Sequence, residues 1–169
     1  MSDNWLPDLM LFSDFNGDWN EYLEALHSAF EKDFVTSKPK WLNKRVGLKR
    51  HPEYDGKSAT FWHMISEGSS EEDRTPDLRR CEHIRWPSPM MEEHDELPPG
   101  ESKARVIWWA EERRNETRVL LSFEDFSYLM VVADRGDYVL PWTAYPVERG
   151  HQQQKLKKRY EAFWKTQKG

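Results

Sequence analysis

The sequence contains very little cysteine, and this scarcity restricts both its fold and its chemistry. Cys81 is the only cysteine among 169 residues, so the chain can form neither an internal disulfide nor a zinc cage built on cysteines. A domain of this length buries roughly two-thirds of its unfolded surface and needs no such cross-link. We favour packing over a nucleophilic role for Cys81, because no oxyanion signature accompanies it.

Several other sequence signals are also missing. No apolar run approaches the ~20 residues that span a bilayer, and residues 1–5 lack the basic and apolar regions of a signal peptide. We therefore expect a cytoplasmic protein with no membrane partner. Phosphate-binding, dinucleotide-binding and serine-hydrolase motifs are absent, as are zinc-hydrolase and deaminase patterns. We accordingly expect no cofactor and no metal.

Aromatic residues, by contrast, are abundant. Nine tryptophans and eight phenylalanines occur in a chain that is 33% charged, with a mean hydropathy of −0.94. Disordered chains are poor in aromatics, so this composition indicates a folded domain with an aromatic core and a charged surface. We expect one domain over residues 1–169, in which residues 1–17 are either part of the fold or an N-terminal extension.

The net charge of −5 is unevenly distributed along the chain. Acidic residues concentrate at 71–73 and 92–96, and basic residues at 38–50, 79–85 and 155–159. Residues 92–102 are predicted to form a solvated acidic loop, because this stretch also contains a Pro-Pro-Gly sequence. Such a distribution disfavours non-specific duplex binding but allows one RNA site.

Hydrophobic periodicity predicts mainly helices in the first half of the chain. Residues 18–34 carry an apolar stripe at three- and four-residue steps, with Asp18 as the N-cap of a helix. A short strand is predicted over 45–49, and the apolar run 59–65 is interpreted as a second, β-prone segment. Thr75-Pro76 is interpreted as the start of a helix that ends near residue 83.

In the second half of the chain, the hydrophobic pattern predicts consecutive strands. Short connections between them indicate an antiparallel meander, whose four strands are expected at 104–111, 117–123, 128–133 and 138–145. A basic amphipathic helix is expected over 152–165. The predicted class is therefore α+β: an N-terminal helical unit, a twisted four-stranded antiparallel meander and a C-terminal basic helix.

The fourth predicted strand contains a proline and two candidate site residues. Pro141 lacks a ladder donor, so it indicates either an edge or a bulge. Strand alternation places Leu140, Trp142 and Ala144 on one face, which we expect to be the core face with Trp142. Thr143 and Tyr145 then lie on the opposite face, either as ligand contacts or as ordinary β-formers.

The available side chains favour metal-independent RNA cleavage over other chemistry. That reaction needs one group to take the proton of a ribose 2′-hydroxyl and another to protonate the leaving 5′-oxygen, while a cation stabilises the charge on phosphorus. His63 is the candidate acid or base, although a packed, hydrogen-bonded histidine is an equal alternative. Glu67 either assists it or faces solvent. Four arginines crowd residues 74–85, either as a phosphate platform or as a salt-bridge network.

Residues 138–147, followed by the basic helix, resemble the last strand of phage- and plasmid-borne nucleases of the Barnase–EndoU–colicin–RelE-like group. The resemblance implies a short helical unit packed on a four-stranded antiparallel sheet. It also implies an early histidine, a basic residue in mid-fold and hydroxyl residues on the final strand. Carried onto this chain, these are His63, one of three arginines, and Thr143 with Tyr145; the three arginines are Arg79, Arg80 and Arg85.

Our leading hypothesis is a metal-independent endoribonuclease of mobile-element origin, a candidate toxin with an antitoxin or other protein partner. The expected catalytic residues are His63, Arg85, Thr143 and Tyr145. The expected RNA contacts are Arg79, Arg80, Trp86, Lys155 and Arg159, although a solvated face is the default for the basic helix.

Two alternatives stay open. The first is a non-catalytic phage or plasmid binding protein, an inhibitor or antitoxin-like partner that uses the acidic loop to mimic nucleic acid or mask a basic partner. The second is an RNA-binding module without cleavage, which would bind with a steep salt dependence.

Overall fold

The computed structural model describes residues 5–68, 70, 73–96 and 105–167. It confirms the α+β class: the described residues form five α-helices, one five-stranded sheet and one two-stranded sheet. Within these ranges, none of the helices combines the length and the apolar character that crossing a membrane would require.

The first helix, α1 (Trp19–Glu31), confirms the predicted apolar stripe. The Asp18 carboxylate accepts a hydrogen bond from the Glu21 backbone N–H at 3.1 Å, which satisfies a donor of the first turn. A π-helical turn (Lys32–Thr36) continues the helix. The stripe is buried throughout, at Tyr22, Leu23, Leu26, Phe30 and Phe34. Helix α1 therefore supplies much of the first hydrophobic cluster.

The predicted β-prone run at 59–65 is wrong, because these residues form helix α2 (Ala59–Ile65). The Ser58 hydroxyl caps it by accepting a hydrogen bond from the Phe61 N–H. Six of the seven helical residues are buried. A short segment buried on nearly all sides shows no helical periodicity, so the apolar run alone could not distinguish helix from strand.

The predicted helix start at Thr75-Pro76 is also wrong. These residues form strand β3 (Thr75–Pro76), antiparallel to β2 (Ser66–Glu67) in the small sheet. Helix α3 (Leu78–Glu82) begins two residues later, where the Asp77 carboxylate accepts a hydrogen bond from the Arg79 N–H at 3.1 Å. Asp77 therefore caps this helix.

The predicted acidic loop is wrong over residues 92–96, which belong to helix α4 (Pro87–Glu96). Its side chains serve the fold: Glu92 and Asp95 accept hydrogen bonds from the backbone N–H groups of Lys40 and Leu42 at 3.0 and 2.6 Å. Glu93 is buried. The remaining part of the predicted loop, 97–102, lies outside the described residues.

The predicted antiparallel meander makes up four of the five strands of the main sheet: β4 (Ile107–Arg113), β5 (Glu116–Ser122), β6 (Tyr128–Asp134) and β7 (Tyr138–Pro146). A fifth strand, β1 (Arg45–Val46), pairs in parallel with Tyr138 and Val139, giving the order β1-β7-β6-β5-β4. Because β1 is so short, no strand pairs with the outer edge of β7 beyond Val139 in the described part of the chain.

A bulge interrupts β7 at the proline, one of the two outcomes expected there. Val131 pairs with Thr143 and Val132 pairs with Pro141, which leaves Trp142 as the extra residue. The bulge changes which residues share a face. Trp142 and Tyr145 both pack against the second cluster, whereas Ala144 belongs to the first. The predicted pairing of Trp142 with Ala144 is therefore wrong, because strict alternation ends at a bulge.

The two faces of the main sheet carry separate hydrophobic clusters. Helices α1 to α4 contribute to the first cluster. Helix α5 (Gly150–Gln167), which includes the predicted 152–165, covers the second with Leu156, Tyr160 and Phe163. Strand β7 contacts α2 and α3, and the cleft described below lies where these elements meet.

Candidate functional site

A cleft of about 320 Å³ lies where α2, the β2–β3 pair and the bulged part of β7 meet. It brings together five candidate site residues of the sequence analysis: His63, Glu67, Arg80, Thr143 and Tyr145. Among the described residues, its lining is His63, Glu67, Gly68, Ser70, Arg74, Arg80, Trp142, Thr143 and Tyr145. The cleft therefore combines an imidazole, a carboxylate, two guanidinium groups, two aromatic rings and hydroxyl groups.

Arg80 is held rigidly between α3 and β7. Its Nη1 donates hydrogen bonds to the Ser66 backbone oxygen at 2.9 Å and to Thr143 Oγ1 at 3.0 Å. Its Nε lies 3.5 Å from the Asp77 carboxylate, and its guanidinium carbon lies 4.7 Å from the centre of the Tyr145 ring. Nη2 makes no hydrogen bond with the described residues, so these contacts orient a planar donor group and leave part of it for a ligand.

Arg74 brings a second guanidinium group to the same backbone oxygen. Its Nη2 donates to the Ser66 oxygen at 2.6 Å, and its Nε donates to the Ser66 hydroxyl at 2.9 Å. The Ser66 hydroxyl in turn donates to the Trp62 backbone oxygen. Two guanidinium groups therefore converge on one backbone oxygen at the edge of the cleft.

Thr143 links the arginine to the histidine segment. Its hydroxyl accepts from Arg80 and donates to the His63 backbone oxygen at 3.3 Å. The His63 side chain is 6% exposed, and its ring packs edge-on against Trp142 with centroids 5.4 Å apart. Glu67 lines the cleft as an exposed residue. A reacting group must therefore enter the cleft to reach the imidazole.

Trp142 forms one wall of the cleft and attracts cations to it. Lys49 Nζ lies 5.7 Å from the centre of the indole ring, and the Arg118 guanidinium carbon lies 4.6 Å from it. Arg118 is also paired with Glu116. The bulge that moves Trp142 out of the first cluster thus gives the cleft an aromatic wall, and two cations lie beside the ring of that wall.

The structure does not bring Arg85 and Trp86 to the cleft, which corrects the expected grouping. Arg85 follows the end of α3, and its Nη2 donates to the Asp8 backbone oxygen at 2.6 Å. The Trp86 indole donates to the Pro7 backbone oxygen at 2.9 Å. Both side chains therefore hold the N-terminal segment, and Arg80 occupies the position that we had expected for Arg85.

The other expected RNA contacts do not line the cleft either. Arg79 pairs with Glu148 at 3.1 Å, and Arg159 forms two hydrogen bonds with Glu111 at 2.6 and 2.7 Å. Lys155 is exposed on α5. The salt-bridge alternative therefore describes Arg79 better than a phosphate platform does, and Arg159 is likewise held in an ion pair.

Sequence reasoning missed several residues of the site. Ser66 and Gly68 lie in or beside a strand of two residues, which is too short to show alternation. Gly68 has φ +155°, and a Cβ there would approach both the Arg74 Cα and the Asp73 oxygen to 2.8 Å. The only early signal for Arg74 was its place in an arginine-rich stretch.

The fold and the cleft define an α+β protein with a basic, aromatic-walled site beside the bulged strand of its sheet. No family model, curated protein or solved structure matches this chain. The resemblance to the Barnase–EndoU–colicin–RelE-like group therefore stays a prediction.

Proposed function

We propose that the cleft binds a phosphodiester of RNA and cleaves it by attack of the neighbouring 2′-hydroxyl, with no metal required. One observation carries this proposal: His63 shares a small cleft with two guanidinium groups, Arg74 and Arg80. A site that stabilises a phosphorane needs fixed positive charge beside a group that can move a proton. In the described part of the chain, no three His, Cys, Asp or Glu side chains cluster as metal ligands would.

The roles follow from the chemistry of each side chain. Arg74 and the Nη2 side of the Arg80 guanidinium bind the non-bridging phosphate oxygens and stabilise the extra negative charge. His63 and Glu67 divide the proton transfers: one accepts the 2′-hydroxyl proton and the other protonates the leaving 5′-oxygen. The products are a 2′,3′-cyclic phosphate and a 5′-hydroxyl. Thr143 and Tyr145 are positioning residues that hold Arg80.

The size of the cleft supports recognition of a single reacting nucleotide. A volume of about 320 Å³ lies at the lower end of the roughly 300–1,000 Å³ of small-molecule sites. The rest of an RNA strand must therefore lie outside the cleft. This agrees with a site that acts on one phosphodiester of a longer chain.

The test is cleavage of a labelled RNA strand in EDTA, with analysis of the product ends. We expect His63→Gln to lower kcat/KM by at least about 100-fold, because a proton-transfer group contributes about 10²–10⁴. Arg80→Lys should lower it similarly, because lysine keeps the charge but loses the planar fork.

Two controls match these variants in residue type. Arg79→Lys changes the neighbouring arginine of α3, and His151→Gln changes an exposed histidine; both should stay within about two-fold of the parent. Parent-like cleavage by His63→Gln and Arg80→Lys, or no cleavage by the parent itself, would contradict the proposal. Binding without any cleaved product would favour the RNA-binding module.

The biological setting is part of the same proposal. We propose that the ribonuclease acts in the cytoplasm as a toxin of mobile-element origin that a protein antitoxin restrains. Expression of the parent chain should then arrest growth, and expression of His63→Gln should not. The rival binding function has lost its supporting feature, because Glu92 and Asp95 bind backbone groups within the fold.

A further inference from the structure

Strand β7 carries a row of aromatic side chains that each hold a cation. Five cation–aromatic pairs occur in the part of the chain that the structure describes, and four of them use rings of β7. Arg45 lies 5.1 Å from the centre of the Tyr138 ring, at the far end of the strand from the cleft. The rings of Trp142 and Tyr145 line the cleft itself, together with Arg80, the cation paired with Tyr145. The row thus leads away from the reacting site in one direction.

Two cations of this row have no acidic partner among the described residues. These are Arg45, which is exposed, and Lys49, which is half-buried beside Trp142. Their neighbours are paired: Lys44 binds Asp134 at 2.8 Å, and Arg118 binds Glu116. The protein as a whole is acidic, with a net charge of −5, so these two cations are isolated positive charges at defined positions. Cations at such fixed positions are suited to binding successive phosphates of one strand, rather than a polyanion without a defined geometry.

The length of the row is that of several nucleotides. Tyr138 and Tyr145 are seven residues apart, and the bulged Trp142 adds no length to the strand. At about 3.3 Å per residue, the row therefore extends for about 20 Å. Aromatic rings with cations alongside a backbone groove are the common means of holding an unpaired strand. A duplex is excluded by the cleft, because His63 is 6% exposed and a stacked, paired backbone cannot enter it.

We infer that the substrate is single-stranded RNA, and that its flank on one side of the scissile phosphate lies along β7 on Arg45 and Lys49. This inference rests on the proposed function for the identity of the reacting site. It adds the substrate class and a binding track that reaches beyond the cleft on one side. RNA without that flank should bind and react poorly.

The track is tested by binding, which does not depend on cleavage. The probe is a 2′-O-methyl RNA strand of about eight nucleotides, which cannot react through its 2′-oxygen. Removing two phosphate contacts should lower the slope of log K against log salt by about 1.4, since each contact on a single strand contributes about 0.7. We expect this decrease in slope for the double variant Arg45→Gln/Lys49→Gln. The control Lys158→Gln/Lys165→Gln, with the same loss of charge at exposed positions of α5, should leave the slope unchanged.

A cleavage assay gives the second measurement. The Arg45→Gln/Lys49→Gln variant should lose much of the preference of the parent for a long strand over a dinucleotide, because its kcat/KM should fall more on the long strand than on the dinucleotide. Equal salt slopes for this variant and the parent would overturn the track. Stronger binding of a duplex, or of an acidic peptide, would overturn single-stranded RNA as the ligand. If the salt slope of the variant falls as expected but the parent cleaves no RNA, the proposed function is refuted and the binding track is retained.

Discussion

At the scale of single residues, the cleft depends on hydrogen bonds that fix its charged groups. The Ser66 backbone oxygen accepts from both Arg74 and Arg80, and Ser66 is 1% exposed. A buried carbonyl with two charged donors cannot move without leaving those donors unsatisfied. The orientation of both guanidinium groups is therefore set by backbone geometry, and the Thr143 hydroxyl adds the contact with β7.

Thr143→Val tests the role of that hydroxyl without changing the shape of the side chain. The variant removes the acceptor of Arg80 and the donor to the His63 oxygen, so we expect a loss of about 1–2 kcal/mol in the free energy of unfolding. RNA cleavage should fall more than stability predicts, because Arg80 loses its fixed orientation. Thr143→Ser keeps the hydroxyl and is the matched control. Equal kcat/KM for the two variants would show that the hydroxyl does not position Arg80.

Gly68 is a second position where one atom decides the geometry. An added Cβ would lie 2.8 Å from the Arg74 Cα, and backbone cannot yield as a flexible side chain can. We expect Gly68→Ala to destabilise the fold by about 1–3 kcal/mol and to weaken RNA binding, because Arg74 is displaced. Gly150→Ala, where a Cβ meets open space, should leave both unchanged. Urea unfolding and RNA titration of the two variants measure the difference.

At the scale of elements, the sequence predicted those parts of the fold that are long. Helix α1 has a one-sided apolar stripe, and the four meander strands are runs of seven to nine residues between turns, although β6 is buried on both faces. Helix α2 is seven residues long and buried on nearly all sides, and β2 and β3 are two residues long. The helix that carries Arg79 and Arg80 starts after Asp77 rather than at Thr75. The sequence therefore could not show which of its arginines faces the cleft. The β7 bulge likewise moved Trp142 to the cleft wall.

Helix α4 contains a buried histidine whose titration affects stability. His94 is 4% exposed and packs against Trp41 at a centroid distance of 4.6 Å. Burial lowers its pKa to about 4, and the nearby Asp95 opposes this only partly. In the unfolded chain the pKa is near 6.5, so between pH 4 and 6.5 the unfolded state binds a proton that the folded state does not. This group therefore makes stability rise with pH across that window.

We expect His94→Gln to reduce this dependence on pH by on the order of 2 kcal/mol between pH 4.5 and pH 7. The comparison with the parent is needed because Asp33 acts in the opposite direction. Burial raises the pKa of Asp33 to about 6, so its contribution falls as pH rises from 4 to 6 in both proteins. Urea unfolding at several pH values gives the two profiles. If the profiles of parent and His94→Gln run parallel, His94 is not buried in its neutral form.

At the scale of the whole molecule, the main sheet lies between two hydrophobic clusters and contributes residues to both. The first cluster includes Met130 and Val132 of β6, and the second includes Leu129 and Val131 of the same strand. Loss of either cluster exposes one face of every central strand. The two halves should therefore unfold together, although their helices come from opposite ends of the chain.

Leu156→Ala and Leu26→Ala test this coupling from the two sides. Leu156 of α5 is 6% exposed and Leu26 of α1 is fully buried, so each change should cost about 2–4 kcal/mol. Each variant should lower the midpoint of one transition that tryptophan fluorescence and far-ultraviolet circular dichroism report identically. Separate transitions in either variant would show that α5 and its cluster unfold independently. Since neither leucine lines the cleft, both variants should retain RNA cleavage well below their midpoints, which separates the stability of the sheet from the chemistry at its edge.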